Sequence, residues 1–124
     1  MQIEIRKEKG FAIALLKSSE ILLCDVQSVL DLLVMLRYEA QCDRFVLSKE
    51  SVAEAFFDLH SHLAGEILQK LSNYRCKCAI VGDFSQYTSK ALKNFIYESN
   101  RGNDIFFVAS DEEAVKRLSQ VRHC

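Results

Sequence analysis

Asp83, Ser85, Tyr87, Ser89 and Lys90 fall at close intervals in Gly82-Asp83-Phe84-Ser85-Gln86-Tyr87-Thr88-Ser89-Lys90, directly after the apolar run Cys78-Ala79-Ile80-Val81. A carboxylate, hydroxyls and an ammonium around a helix start suit a small anionic ligand, because free first-turn amides and the helix dipole attract a phosphate-like group. A local account competes: Ser85 or Thr88 caps the helix and Asp83 holds the turn. No Gly-x-x-x-x-Gly-Lys-Ser/Thr loop or Gly-x-Gly-x-x-Gly fingerprint follows any apolar run, which counts against ordinary nucleotide sites.

Asp58, His60 and Asp83 offer acid-base chemistry, provided that His60 reaches a cleft. A helix through residues 56–73 would set His60 among Phe56, Leu63, Ala64, Ile67 and Leu71, where a core histidine bonded to the backbone competes with a catalytic one. Asp58, His62 and Glu66 would share another face, spread too far along the axis to chelate. Cys76-x-Cys78 lacks zinc-ribbon spacing. Neither a metal nor any other cofactor is expected, and no nucleophile, base and orienter stand together.

Gly65 is costly in mid-helix and shares its side with Ser61 and Ser72, a pattern that lets a partner protein or a second copy of the chain approach. Tyr97 projects outward beside Lys90, Lys93 and Asn94 and extends this candidate interface.

The elements that must position these residues follow from the rest of the chain. Its 124 residues, 49% hydrophobic and 27% charged, have the size and make-up of one domain, residues 1–124. With no proline and four glycines, nothing marks a linker. A net charge of −1 gives no footprint for nucleic acid or an anionic membrane. No apolar run approaches the ~20 residues of a membrane span. Five cysteines, an odd number lying largely in apolar segments, fit reduced thiols and a cytoplasmic protein.

Residues 2–6 and 11–16 predict a hairpin turning at Gly10. A helix follows from the cap Asp25 to about residue 39, then a strand over 44–47. Ser51-Val52-Ala53-Glu54 has capping-box spacing and predicts a helix reaching Asn73, with or without a break near Asp58. A strand ending at Val81, a helix over 89–100 closed by Gly102, a strand over 105–108 and a helix opened by Ser110-Asp111-Glu112-Glu113 complete the order.

Strands separated by helices imply an α/β fold whose sheet is mixed and mostly parallel. The strand ends at Leu47, Val81 and Val108 then share one edge, bringing Ser48 and Lys49 to Asp83, Ser85 and Ser110. The first long helix is apolar around most of its circumference and predicts cover on more than one side. Arg37 near its end either snorkels or pairs with a carboxylate from another element.

The order of elements is similar to that of anti-sigma-factor-antagonist (STAS) domains, with Phe57 to Gly65 at the start of their second crossover helix. In those antagonists a phosphorylatable serine directly follows an aspartate, whereas here Leu59 follows Asp58 and Ser61 is the nearest serine. Over nearly the whole chain the sequence resembles the bacterial domain-of-unknown-function family 4180. Arg37-Tyr38-Glu39, Cys42-Asp43-Arg44, Phe56-Phe57-Asp58-Leu59, Leu63 to Lys70, Val81 to Ser85 and Phe95 to Asn100 carry that resemblance. It implies one bacterial-type domain and brings no catalytic residues.

The leading expectation is therefore a non-catalytic regulatory or protein-interaction module, dimeric or paired with another protein, through Ser61, Gly65, Ser72 and Tyr97. The alternative is a sensor of a small molecule or phosphate group at Ser48, Asp83, Ser85, Tyr87, Ser89 and Lys90. An enzyme using Asp58, His60 and Asp83 is the third reading.

Overall fold

Lys9 and Gly10 both have positive φ, 51° and 85°, the conformation of a two-residue turn whose twist matches that of its strands. This turn joins β1 (Gln2–Glu8) to β2 (Phe11–Lys17) in an antiparallel hairpin. In the computed structural model, which describes residues 1–121, the hairpin is followed by β3 (Arg44–Ser48), β4 (Lys77–Val81) and β5 (Ile105–Val108), each parallel to its predecessor. The sheet order is sequential, β1-β2-β3-β4-β5, so the chain forms an α/β domain with a mixed, mostly parallel sheet.

Each crossover carries one helix: α1 (Val26–Tyr38), α2 (Leu63–Asn73) and α3 (Lys90–Asn100). These three cover one face of the sheet, packing on Ala14, Leu16, Phe45, Leu47, Ile80 and Phe107. The alternate residues Ile13, Leu15, Val46, Ala79, Phe106 and Val108 face the other way, onto α4 (Asp111–Gln120). Repeated parallel crossovers of one hand place α1 to α3 on the same side, and only the last helix, free of a following strand, takes the second face. None of the helices is long and apolar enough to cross a membrane, among the described residues.

The helix starts follow their caps. Asp25 accepts the Ser28 amide at 2.7 Å while the Ser28 hydroxyl accepts the Asp25 amide at 3.1 Å, a reciprocal box with serine in the third position. Ser110 accepts the Glu113 amide, and Ala114, Val115 and Leu118 point inward as predicted. The α3 cap is Ser89, which accepts the Leu92 amide at 3.2 Å, and not Ser85 or Thr88.

The segment before α2 departs from the predicted helix. Lys49–Ser51, Glu54–Phe57 and Leu59–Ser61 are three short 3-10 turns, and α2 begins only at Leu63. Ser51 is fully buried and its hydroxyl donates to the Ser18 carbonyl at 3.2 Å, so it cannot cap. Asp58 accepts the His60 amide, and His62 takes a φ of 63°, which no right-handed helix accommodates. Phe56, Leu63, Ala64, Ile67 and Leu71 are buried as projected, but His60 is fully exposed and is no core histidine, and Asp58, His62 and Glu66 share no helical stripe.

α1 buries Val29, Leu32, Leu33 and Leu36, yet Val34 and Tyr38 remain 51% and 77% exposed. The second-sided cover predicted for it is absent among the described residues. Arg37 reaches the surface, its guanidinium donating to the Tyr74 carbonyl at 2.7 Å and tying the end of α1 to that of α2. Cys42, Cys76 and Cys78 are buried free thiols and Cys24 is exposed, while Cys124 lies outside the described residues. Burial pushes the Cys78 thiol far up, so it stays protonated and acts as a small apolar group.

Candidate functional site

The exits of β4 and β5 diverge. The chain leaves β4 toward α3 on one face and leaves β5 toward α4 on the other, and adjacent strands with opposite exits open a crevice beyond the sheet. A cleft of about 590 Å³ occupies that place. Gly82, Asp83 and Phe84 form one wall, Phe107 and Ala109 the other, and Glu113 stands at its α4 end. Gly82 is required here by proximity, since a Cβ at this position would lie 2.7 Å from Lys49 Cβ.

Asp83 shapes the turn. Its Oδ1 accepts from the Ser85 hydroxyl at 2.6 Å and from the Ser85 amide at 2.9 Å. Those two bonds, with the Lys49 ammonium behind them, hold the Asp83 carboxyl below the ordinary carboxylate range. What the charge adds to this turn is present at neutral pH and is lost as the pH falls through the lowered value.

Tyr87 closes the loop over an aromatic floor. Its ring stacks on Phe57 at 5.1 Å, and its hydroxyl reaches the Glu54 carboxylate at 3.1 and 3.2 Å. The Lys49 ammonium sits 5.1 Å above the ring. Burial raises the Tyr87 phenol; hydrogen bonding to Lys49 opposes this and the Glu54 carboxylate reinforces it. Tyr87 is therefore a proton-bearing donor at neutral pH, and its contribution is lost only when the pH rises through the raised value. Phe84 meets Phe107 edge-on at 5.3 Å, and Phe56 touches Phe57, Phe95 and Phe107.

A second concavity, a groove of about 600 Å³, runs beside α2. Val26, Leu59 and Phe95 supply apolar walls, His62, Glu66 and Lys70 a polar rim, and Gly65 an open stretch of helix backbone. A Cβ built on Gly65 would meet nothing within 4 Å.

The family model described as "Domain of unknown function (DUF4180)" matches residues 8–118. The chain belongs to the DUF4180 family. Neither a curated protein nor a solved structure matches it.

Within this DUF4180 domain the expected site residues separate into groups. Asp83, Ser85 and Tyr87 share the loop after β4, and Ser48 is in register with Val81 one strand away. Ser89 is spent on capping α3, and Lys90, the first residue of that helix, is exposed and outside the cleft lining. Gly65 lines the groove; Ser72, two turns on, is exposed on the same side of α2. The Ser61 hydroxyl instead donates to the Ala55 and Asp58 carbonyls. Tyr97, two residues past the groove residue Phe95, points away from it and lies under the Arg101 guanidinium, 5.6 Å from the ring centre.

Asp58 and His60 do meet, Oδ1 to Nδ1 at 3.4 Å, on an open surface. Among the described residues no three His, Cys, Asp or Glu side chains are placed to hold a metal. Sequence reading missed Glu113, which lines the cleft, and Glu54, which accepts from the Tyr87 hydroxyl. Glu54 looked like an ordinary third residue of a capping box, and only the folded 3-10 turn aims it at Tyr87.

Proposed function

We propose that this DUF4180 domain is a non-catalytic interaction module of the cytoplasm, and that its groove over Gly65 binds an amphipathic segment of a partner protein. One observation carries the reading. Gly65, the third residue of α2 and not the mid-helix glycine expected, gives up helix propensity relative to alanine, at most about 1 kcal/mol, and no packing among the described residues requires it, because the space above it is empty. A groove with apolar walls and a rim of Glu66 and Lys70 matches a helix or strand that is apolar on one side and charged on the other. Similarity in element order to STAS domains supports a regulatory role for the contact.

Gly65→Leu fills this groove from below. The variant is expected to melt within about 1 kcal/mol of the parent, since leucine favours helix and the space is open. It should lose a protein that co-purifies with the tagged parent chain from the native host. Identical co-purifying proteins from a folded Gly65→Leu variant would sink the reading.

The cleft between β4 and β5 favours a second reading, a small-molecule sensor. Asp83 and Glu113 on its walls suit a ligand bearing an amine or hydroxyls better than the small anionic one, whose place would be the α3 start at Ser89 and Lys90. Screened against small amines, polyols and inorganic phosphate, the parent should show a ligand-dependent rise in melting temperature that Asp83→Ala abolishes. A rise that survives this substitution would remove Asp83 from the site. For catalysis by Asp58 and His60 no observation speaks, as nothing around the pair excludes water.

A further inference from the structure

β1 is an edge strand: it pairs with β2 on one side, and no described strand pairs with the other. It is exposed along nearly its whole length. The two-residue turn makes Glu8 and Phe11 the closing pair of the hairpin, and such a pair exchanges both main-chain hydrogen bonds. Alternation then points the main-chain groups of Gln2, Glu4, Arg6 and Glu8 toward β2 and those of Ile3, Ile5 and Lys7 toward the open edge.

The side chains sort by the same period. Ile3 and Ile5 lie opposite Leu16 and Ala14, which enter the core beneath α1 to α3, yet they remain 38% and 42% exposed. Glu4, Arg6 and Glu8 stand on the face that bears α4. The edge thus presents unused donors and acceptors, two uncovered isoleucines and a row of alternating charge.

We propose that a second copy of this chain docks antiparallel along β1, with the two-fold axis at Ile5, joining two five-stranded sheets into one. In this register Ile5 faces Ile5 of the second copy, and Ile3 faces Lys7, whose aliphatic stem covers it. These are the residues whose main-chain groups point outward, so each of those pairs exchanges both hydrogen bonds. On the other face Glu4 meets Arg6 of the second copy and Arg6 meets its Glu4, extending the Glu4–Arg6 pair already present within each chain at 3.3 Å. The neighbouring registers that keep outward groups paired are shifted by two residues. One opposes Glu4 to Glu4, and the other opposes Arg6 to Arg6 and Glu4 to Glu8. Like charges across a ladder are unfavourable, so the sequence of β1 favours the pairing centred on Ile5 over both of these neighbours. The same charges guard the edge against unrelated strands. This surface is separate from the Gly65 groove.

Two charge reversals test it, on the untagged full chain, by sedimentation equilibrium and native mass spectrometry. Glu4→Arg alters an exposed side chain and Arg6→Glu a half-buried one on the sheet edge, and both should leave the monomer folded with little change in melting temperature. Each alone opposes like charges at both ends of the pair and should weaken the dimer about tenfold or more. Mixed in equal amounts, the two variants should form a heterodimer at parental affinity, because Arg then meets Glu at every contact. A parent that stays monomeric at its solubility limit, a dimer indifferent to both substitutions, or a mixture that fails to pair would each overturn the proposal. Gly65→Leu should leave this dimer intact, so loss of the groove partner and loss of the dimer are told apart.

Discussion

Replacing Arg44 by alanine is expected to destabilise the domain by about 3–5 kcal/mol, a large part of the ~5–15 kcal/mol that holds such domains together. Arg44 opens β3 with its side chain fully buried on the α4 face. Its Nη1 donates to the carbonyls of Leu118 and Val121, at the end of α4, where helical carbonyls lack partners of their own. The guanidinium also stacks 3.7 Å from the centre of the Phe11 ring, and its Nε lies 3.8 Å from the Asp43 carboxylate. This side chain thus fastens the C-terminal end of α4 to the sheet, as Lys17 holds its start through Asp111. Alanine leaves buried carbonyls without a donor and a void over Phe11. Arg44→Lys retains the charge but not the planar fork, and should fall between the two. Urea denaturation measures the difference, and a loss under about 1 kcal/mol for alanine would mean that α4 is held without Arg44, by its apolar contacts and by the Lys17–Asp111 and Arg117–Asn100 contacts.

Phe56→Ala should cost a similar amount, about 3–5 kcal/mol, through cavity formation. Phe56 has no exposed surface, and its ring lies 5.1 Å from Phe57, 6.1 Å from Phe107 and 6.4 Å from Phe95. It therefore joins the irregular crossover to β5 and α3, and it backs both concavities: Phe107 lines the cleft and Phe95 the groove. Phe56→Leu keeps most of the volume and should lose less than about 1.5 kcal/mol. The denaturation midpoint reads both, and equal small losses would show that the other rings close around the gap.

Much of the architecture was legible in the residues. Gly10 marked the hairpin, Asp25 and Ser110 marked helix starts, and apolar runs separated by helical stretches required a mostly parallel sheet. These features rest on interactions between residues a few positions apart, where type and spacing carry the physics. Asp83, too, was legible as the holder of its turn, because its partner Ser85 is two residues away.

Residues 51–73 show where that logic stops. Capping-box spacing at Ser51 is a local preference, and burial against Ser18, 33 residues earlier, overrode it. Once Ser51 was drawn into the core, the helix could not start there, and His60 moved from a projected apolar face to full exposure. Tyr87 met Glu54 for the same reason, across the same 33-residue separation.

The sequence by itself determined the elements, their order and the alternation of charge along β1, since each depends on neighbours in the chain. Only the tertiary structure decided that β1 is left at an edge, that Gly65 lies open beneath a groove, and that the exits of β4 and β5 part to form a cleft. Those three facts depend on which helices cover which face, and that is settled by packing between residues far apart in sequence.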